Sequence, residues 1–466
     1  MPLSIGNLLS ERLRGWIPEP FVFALLLTLL VGVLAVAATA SGPVAVVGHW
    51  YQGFWMLLEF GMQMVLILTT GYAIALTPTA SRGIDALARV ARTPGAVYLL
   101  VLIAGGLFSL VSWGWVVLTA VLGRELARRV DGIDYAYLVA CVYVSGQPWV
   151  GGLSSSIPLL LNTEGNFLIE SGVLDARIPA TASLGSVLNA AYVALYFAVV
   201  PLLMWWMRPA PRVARSMDEL CAEGRGEREG ESVVEEAARY RLDGGSVSDR
   251  LNNGWVLQAA VAVAALSYIV GHFAAQGFDL DLNIMIFTFF AIGLLAHRTP
   301  MRYVVAMKRA CANVSGIVFQ YPFYAGIMGI MMFSGLGALI SEWLAGGATM
   351  ETLPLIAQFA GALVNFAIPS AGGEWAVIGP SLTETALQLS AHLPPDEQQG
   401  YVARIALAVA YGETSTNLLQ PFFLLVVLPV MGAGVVISAR DVMGYLVVPF
   451  VAIYAMTAGL VAFAVP

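Results

Sequence analysis

Two stretches of the chain set polar side chains where an apolar segment would otherwise continue. Asn365-Phe-Ala-Ile-Pro-Ser-Ala-Gly-Gly373 gathers a proline and several small residues, and Tyr411-Gly-Glu-Thr-Ser-Thr-Asn-Leu-Leu-Gln-Pro421 holds six polar side chains inside an apolar run. A helix packed in lipid has no use for them. A helix broken there would expose backbone N–H groups and carbonyls beside Ser, Thr and Asn oxygens. Helix N-termini after a break favour an anion, and C-terminal carbonyls favour a cation. Asn365, Ser370, Ala371, Gly372, Gly373, Thr414, Ser415, Thr416 and Asn417 are therefore candidate substrate-binding residues. The competing reading is helix–helix packing through small and polar residues.

An earlier pair of stretches offers similar chemistry. Ser112-Trp-Gly-Trp115 marks a turn, and Tyr143-Val-Ser-Gly-Gln-Pro-Trp-Val-Gly-Gly-Leu-Ser-Ser-Ser156 predicts an unwound, hydroxyl-lined segment. Ser112, Trp113, Gly114, Ser154, Ser155 and Ser156 join the binding candidates. Three carboxylates, Glu59, Glu374 and Glu413, fall at the depth of apolar segments. A buried carboxylate must be protonated, paired or bound to a cation. Glu413, inside the polar break, and Glu374, at the turn, are the candidates for binding a coupling ion or proton. Glu59 lies nearer the end of its segment and reads equally as interfacial. No Lys or Arg falls at the centre of a span, so a di- or tricarboxylate would meet no fixed cation. A small monoanion could be held by N–H groups, hydroxyls and amides, with Trp113, Trp115, Trp149 and Trp375 walling its apolar part. The same tryptophans also read as packing or interfacial residues.

Other chemistries lack their parts. The three cysteines, Cys141, Cys221 and Cys311, are widely spaced and form no disulfide framework or zinc pattern, and the four histidines fall in no metal or catalytic motif. No metal, cofactor or enzymatic nucleophile is expected. A net charge of −7 argues against a nucleic-acid partner.

These residues must be carried by membrane-spanning helices. Hydrophobic residues make up 59% and charged residues 11% of the 466, and 18 of the 53 charges fall between Arg208 and Arg250. So few charges cannot cover a water-facing surface of this size, which implies an all-α, multi-pass membrane protein. Arg12 and Arg14 precede an apolar run, Ile17 to Ala40, of ~24 residues, longer than the core of about 7–15 in a cleaved signal, so it reads as a retained first helix. Ten further apolar segments follow: 54–76, 96–122, 135–161, 183–207, 255–275, 282–296, 314–340, 353–380, 402–430 and 442–464.

The third and ninth segments carry the mid-length turns, and the charges decide how to read them. If every segment crosses and the N-terminus is cytoplasmic, 7 of 23 Lys and Arg lie inside; the flipped arrangement gives 16. If those two are re-entrant hairpins, 21 of 23 lie inside, so nine crossings and two hairpins satisfy the positive-inside rule best. The hairpins then enter from opposite sides, which makes the two halves inverted. Ala140-Cys-Val-Tyr143 echoes Ala408-Val-Ala-Tyr411, and each follows a hairpin with Ser ahead of Trp-x-Val. An inverted repeat with broken helices predicts a secondary transporter with a midplane site. The halves are 1–207 and 251–466; 208–250 reads as a solvated, partly disordered cytoplasmic linker.

Further residues carry a family resemblance. Gly15-Trp-Ile-Pro-Glu-Pro20, Gly53-Phe-Trp55, Phe60-Gly-Met-Gln63, Arg124-Glu-Leu-Ala-Arg-Arg129, Phe323-Tyr-Ala-Gly-Ile327, Ser334-Gly-Leu-Gly337 and Asp441-Val-Met-Gly-Tyr445 are joined by the more specific Asn365-Phe-Ala-Ile-Pro-Ser370 and Ala410-Tyr-Gly-Glu413. Together they resemble the bacterial short-chain fatty acid transporter family, the acetoacetate and butyrate uptake type, over nearly the whole chain. That family is similar to a wider ion-transporter superfamily with paired hairpins, broken helices and elevator-type movement, some of whose members bind sodium at Ser-Asn-Thr signatures. Thr414-Ser-Thr-Asn417 matches this in the second half, whereas the first half offers only Ser145-Gly-Gln-Pro148, so sodium and proton coupling both stay open. By the resemblance, Ser145 and Gln147 join Glu413 and Glu374 as coupling candidates. It implies an importer of short-chain monocarboxylates driven by H+ or Na+, a homodimer in the bacterial inner membrane; the charge count and nine crossings put its N-terminus in the cytoplasm and its C-terminus in the periplasm. Alternatives are a dicarboxylate or peptide-like anion symporter and, from another class, a passive anion channel.

Overall fold

The computed structural model describes residues 19–111, 115–163, 166–170, 172–210, 214–221, 232–241, 246–277, 282–312 and 314–463. Pro20, Pro43, Pro78, Pro94, Pro300 and Pro395 each open a helix, where the missing N–H would have had no partner anyway. The first four helices are α1 (Pro20–Ala38), α2 (Pro43–Phe54), α3 (Leu58–Ala75) and α4 (Pro78–Val90). Then come α5 (Pro94–Val111), α6 (Trp115–Ala127), α7 (Tyr135–Ser145), a 3-10 turn at Gln147–Gly151, α8 (Ile157–Asn162) and α9 (Val187–Met207). Within the linker lies α10 (Val233–Arg239). The rest comprises α11 (Val256–Gln276), α12 (Leu282–His297), α13 (Pro300–Cys311), α14 (Ser315–Phe333), α15 (Leu336–Ala345), α16 (Leu353–Val364), α17 (Ala371–Leu389), α18 (Pro395–Thr416), a 3-10 turn at Asn417–Leu419, α19 (Leu424–Met431) and α20 (Val447–Phe463).

Among the described residues five helices are long and apolar enough to cross a bilayer, and two bent pairs bring the number to seven. On α1 the large side chains Leu26, Leu29, Leu30 and Val33 are exposed, as suits contact with lipid rather than water. The segment expected to run straight from 314 to 340 is instead bent by 60° between α14 and α15. The bend sits at Gly335, whose φ of 74° is in the left-handed region that other residues avoid.

Helices from the two halves are interleaved. α1 and α2 pack on α14, while α12, backed by α11, packs on α3. Around the breaks, α5, α6 and α7 pack mutually, and α9 covers α5 and the Gln147–Gly151 turn. Likewise α16, α17 and α18 pack mutually, and α20 covers α16 and the Asn417–Leu419 turn. The second arms are exchanged: α8 lies against α17, and α19 lies against α6.

The described parts of the linker are docked rather than free. The Tyr135 N–H donates to the Arg215 carbonyl at 2.9 Å, the Arg215 N–H to Asp134 Oδ2 at 3.2 Å, and the Val436 N–H to the Leu220 carbonyl at 2.7 Å. α10 starts with a capping box between Ser232 and Glu235, whose hydrogen bonds hold the Glu235 carboxyl below its ordinary range. Its Val233 and Ala237 join a core cluster with Ala73, Ala262, Leu294 and Tyr303, and Glu236 accepts from Arg309 Nε at 2.7 Å. Polar composition concealed this, because two buried positions suffice to dock a short helix. Ala237→Asp sets an unpaired carboxylate in that contact, at a cost of about 1–3 kcal/mol. Trypsin will then cut at Arg239 or Arg241 faster than in the wild type, and equal cleavage rates would show that α10 does not depend on this contact.

Candidate functional site

The site is built on the two broken helices. In the second half the helix does not unwind across Tyr411–Pro421, as its polar side chains suggest, but runs intact to Thr416. Ser415 Oγ donates back to the Tyr411 carbonyl at 2.7 Å and Thr416 Oγ1 to the Gly412 carbonyl at 3.0 Å, so these hydroxyls are satisfied inside the helix. The break falls at Asn417–Phe423, around Pro421, and Glu413 stands on regular helix. In the first half the expectation holds: α7 ends at Ser145, and residues 152–156 are irregular after the short turn. Ser145 Oγ donates to the Val142 carbonyl at 2.6 Å, and Ser154 Oγ donates to the Ser109 carbonyl.

A chain of amides organises the second break. Asn365 Nδ2 donates to the Glu413 carbonyl at 3.0 Å and to Asn417 Oδ1 at 2.8 Å. Asn417 Nδ2 donates to Glu413 Oε1 at 2.9 Å, and Gln420 Nε2 donates to the Asn365 carbonyl at 3.2 Å and Asn417 Oδ1 at 3.0 Å. Two of these bonds end on backbone carbonyls, which only accept, so the N and O ends of Asn365 and Gln420 are fixed, and with them those of Asn417. Asn365 Oδ1, Gln420 Oε1, Glu413 Oε2 and both Glu374 oxygens are left buried without partners. Among the described residues no Lys, Arg or His takes part. Among the described residues no three His, Cys, Asp or Glu side chains come together to hold a metal.

The two breaks are tied to each other. Tyr143 Oη donates to the Asn417 carbonyl at 2.6 Å, Trp149 Nε1 to Thr414 Oγ1 at 3.0 Å, and Thr414 Oγ1 to the Gln147 carbonyl at 3.3 Å. Asn189 on α9 donates to the Gly151 carbonyl at 2.9 Å and accepts from Tyr411 Oη at 3.2 Å. α16 and α18 meet backbone to backbone at Gly412: a Cβ there would stand 2.0 Å from the Gln358 carbonyl oxygen. Arg124 on α6 donates to the carbonyls of Val430 at 2.6 Å and Ala433 at 2.5 Å, and Arg404 donates through Nε to Val461 at 2.9 Å, so each caps the C-terminal end of a distant helix.

The candidates thus divide by access. Asn365, Glu374, Glu413, Thr414 and Ser415 are fully buried, while Ser370, Gly372 and Gly373 are half-buried at the tip that opens α17. Ser370 caps that helix by accepting from the Gly373 N–H at 3.4 Å, and Ala371 is its first residue. In the first half Ser155 Oγ is buried and unpartnered, whereas Ser156 is half-buried. Ser112, Trp113 and Gly114 lie outside the described residues. Trp115, Trp149 and Trp375 are buried, and Glu59 is exposed in the first turn of α3. Gln420, Asn189 and Arg124 were not singled out from the sequence for these contacts; Asn189 was readable there as a lone amide in an apolar span. A groove of about 860 Å³ between α9, α18 and α20 contains none of the candidates.

Comparison with known proteins covers the whole architecture. A family profile described as "Short chain fatty acid transporter" matches residues 3–463. A protein of Escherichia coli (strain K12), provisionally named a short-chain fatty acid transporter, is 36% identical over 444 residues, 95% of each chain. One of Haemophilus influenzae, named in the same provisional way, is 34% identical over 447 residues, again 95% of each. Among solved structures, the Alcanivorax borkumensis YdaH transporter is 18% identical with a TM-score of 0.43, covering 96% of this chain and 98% of that one. Neisseria gonorrhoeae MtrF, titled as an antimetabolite efflux pump, is 14% identical with a TM-score of 0.42, covering 98% and 97%.

Proposed function

The chain belongs to the short chain fatty acid transporter family, a family of transporters and not of enzymes, and on that premise we propose that it imports small monocarboxylates such as acetoacetate or butyrate together with a cation. The observation that carries this reading is the separation of two chemistries at the second break. The half-buried tip of α17 offers helix N-terminal amides suited to a carboxylate. Behind it, the fully buried network around Glu413 and Glu374 presents unpartnered acceptors suited to a cation or proton. Ser370, Ala371, Gly372 and Gly373, with Ser155 and Ser156 of the first break, are the substrate residues on this proposal. Thr414, Ser415 and Thr416, whose hydroxyls are already bonded, shape the wall.

Matching neighbours around the two breaks support an inverted repeat. α5, α6 and α7 pack mutually with α9 on α5, as α16, α17 and α18 pack mutually with α20 on α16, although α18 also packs on α20, and the second arms are exchanged across the halves. The distribution of arginines supports a cytoplasmic N-terminus and a periplasmic C-terminus. The set of exchanged arms, bonded through Tyr143, Trp149 and Asn189, would move as one body against α1–α3 and α11–α14 in an elevator-type cycle.

Purified protein in liposomes will accumulate labelled butyrate above its equilibrium level when a cation gradient is imposed. Equilibration without accumulation would mean a passive pathway, and failure to take up or exchange butyrate would remove the monocarboxylate assignment.

A further inference from the structure

Among the described residues the unpartnered acceptors around Glu413 are bonded to no Lys, Arg or His. Glu374 and Glu413 are both fully buried and lie within electrostatic reach of each other. Tyr143 and Tyr192 are within the same reach of Glu413, but their hydroxyls are given to the carbonyls of Asn417 and Gln147. Tyr411, on the same helix as Glu413, gives its hydroxyl to Asn189. From α14, which packs against α17, come Tyr321 and Tyr324. α8 and α16 carry no titratable side chain, and α20 carries only Tyr454. Arg404, the one basic residue of α18, is nine positions from Glu413 and is engaged with Val461. Glu342 on α15 and Glu384 on α17 line a separate surface pocket.

We propose that Glu413 and Glu374 together form a single proton site, so that the cation travelling with each monocarboxylate is one H+. The proposal rests on the transport reading above. Two carboxylates in one dry site cannot both carry charge, so one alone ionises and reloads in a cycle. A proton also supplies the missing donor: an O–H at Glu413 Oε2 or on Glu374 gives the unpartnered acceptors something to receive. The placement makes a relay. Glu374 stands in the first turn of α17, next in sequence to the half-buried Gly372 and Gly373, and Glu413 stands on the neighbouring α18, both carboxylates fully buried. A proton, unlike a metal ion, needs only one such oxygen to hold it.

Gln at position 413 keeps an acceptor for Asn417 and fixes an amide donor where the proton would sit, so it stands for the loaded state. The test uses the full-length protein in sodium-free proteoliposomes with labelled butyrate as probe. In the wild type, net uptake will follow an inside-alkaline pH gradient, and exchange of internal for external butyrate will need no gradient. Glu413→Gln will lose gradient-driven net uptake and retain exchange; Glu413→Asp will recover part of the net uptake. Glu374→Gln, expected to show the same split, serves if the first variant does not assemble. Net uptake that requires sodium, or a folded Glu413→Gln that keeps pH-driven accumulation or loses exchange as well, would overturn the proton site. Absence of exchange in the wild type would instead remove the transport reading on which it rests.

Discussion

Gly412→Ala will be recovered in detergent with a melting temperature well below that of the wild type, and Gly412→Val will not be recovered as a monodisperse protein. The cause is contact geometry. The added Cβ would stand 2.0 Å from the Gln358 carbonyl oxygen and 2.9 Å from the Ala362 nitrogen, both backbone atoms that no rotamer change can move. From the opposite helix, a Cβ at Gly361 would meet the Val409 carbonyl at 2.5 Å, so neither helix can yield by sliding toward the other's glycine. α16 and α18 would have to separate by about 1 Å, and overpacking of this kind costs about 3 kcal/mol or more. The same separation strains the Asn365 bonds to Glu413 and Asn417, which cross this contact. Gly400→Ala on the same helix meets nothing within 4 Å and will be neutral or slightly stabilising. Fluorescence-detected size exclusion and thermal melting of the three variants separate a steric cause from a general intolerance of α18 to alanine. A Gly412→Ala protein as stable as Gly400→Ala would show that the helices do not meet this closely.

What could be read from the sequence was whatever depends on neighbours in the chain. The prolines opened helices where a first turn tolerates them, and the Ile368–Gly373 and Gly146–Ser156 interruptions lie where small residues and prolines weaken the helix. The break in the second half was misplaced by several residues for a local reason as well. Polar side chains from Glu413 to Thr416 look like unwinding, yet Ser and Thr can return their hydroxyls to the preceding turn and leave the helix whole. Short helices such as α2 and α13 escaped a reading built on spanning length. Contacts between distant residues were not readable at all. Tyr411 reaches Asn189 across 222 positions and Tyr143 reaches Asn417 across 274, and nothing in either local sequence names its partner. In the described part of the linker, charges flank the few apolar positions, Val233 and Ala237, that dock it.

The most consequential of the distant contacts is the one made by Arg124, and Arg124→Met will lose about 3 kcal/mol or more of stability. Its guanidinium reaches across 306 and 309 positions to the carbonyls of Val430, in the last turn of α19, and Ala433, just past it, where Tyr135 Oη also donates to the Met431 carbonyl at 2.6 Å. Those carbonyls have no successor N–H to bond, because the helix ends there, and they face α6 rather than water. Met matches much of the apolar stem but leaves two buried acceptors unmet in a site too dry to supply substitutes. Lys at the same position brings one compact cation that cannot fork to both oxygens, so Arg124→Lys will fall between the wild type and Met. The order wild type, Lys, Met in melting temperature is the expected result, as the arm bearing α19 loosens. If Arg124→Met melts with the wild type, the cap is dispensable, and the exchanged arm must be held by α6 and α7 side-chain packing alone.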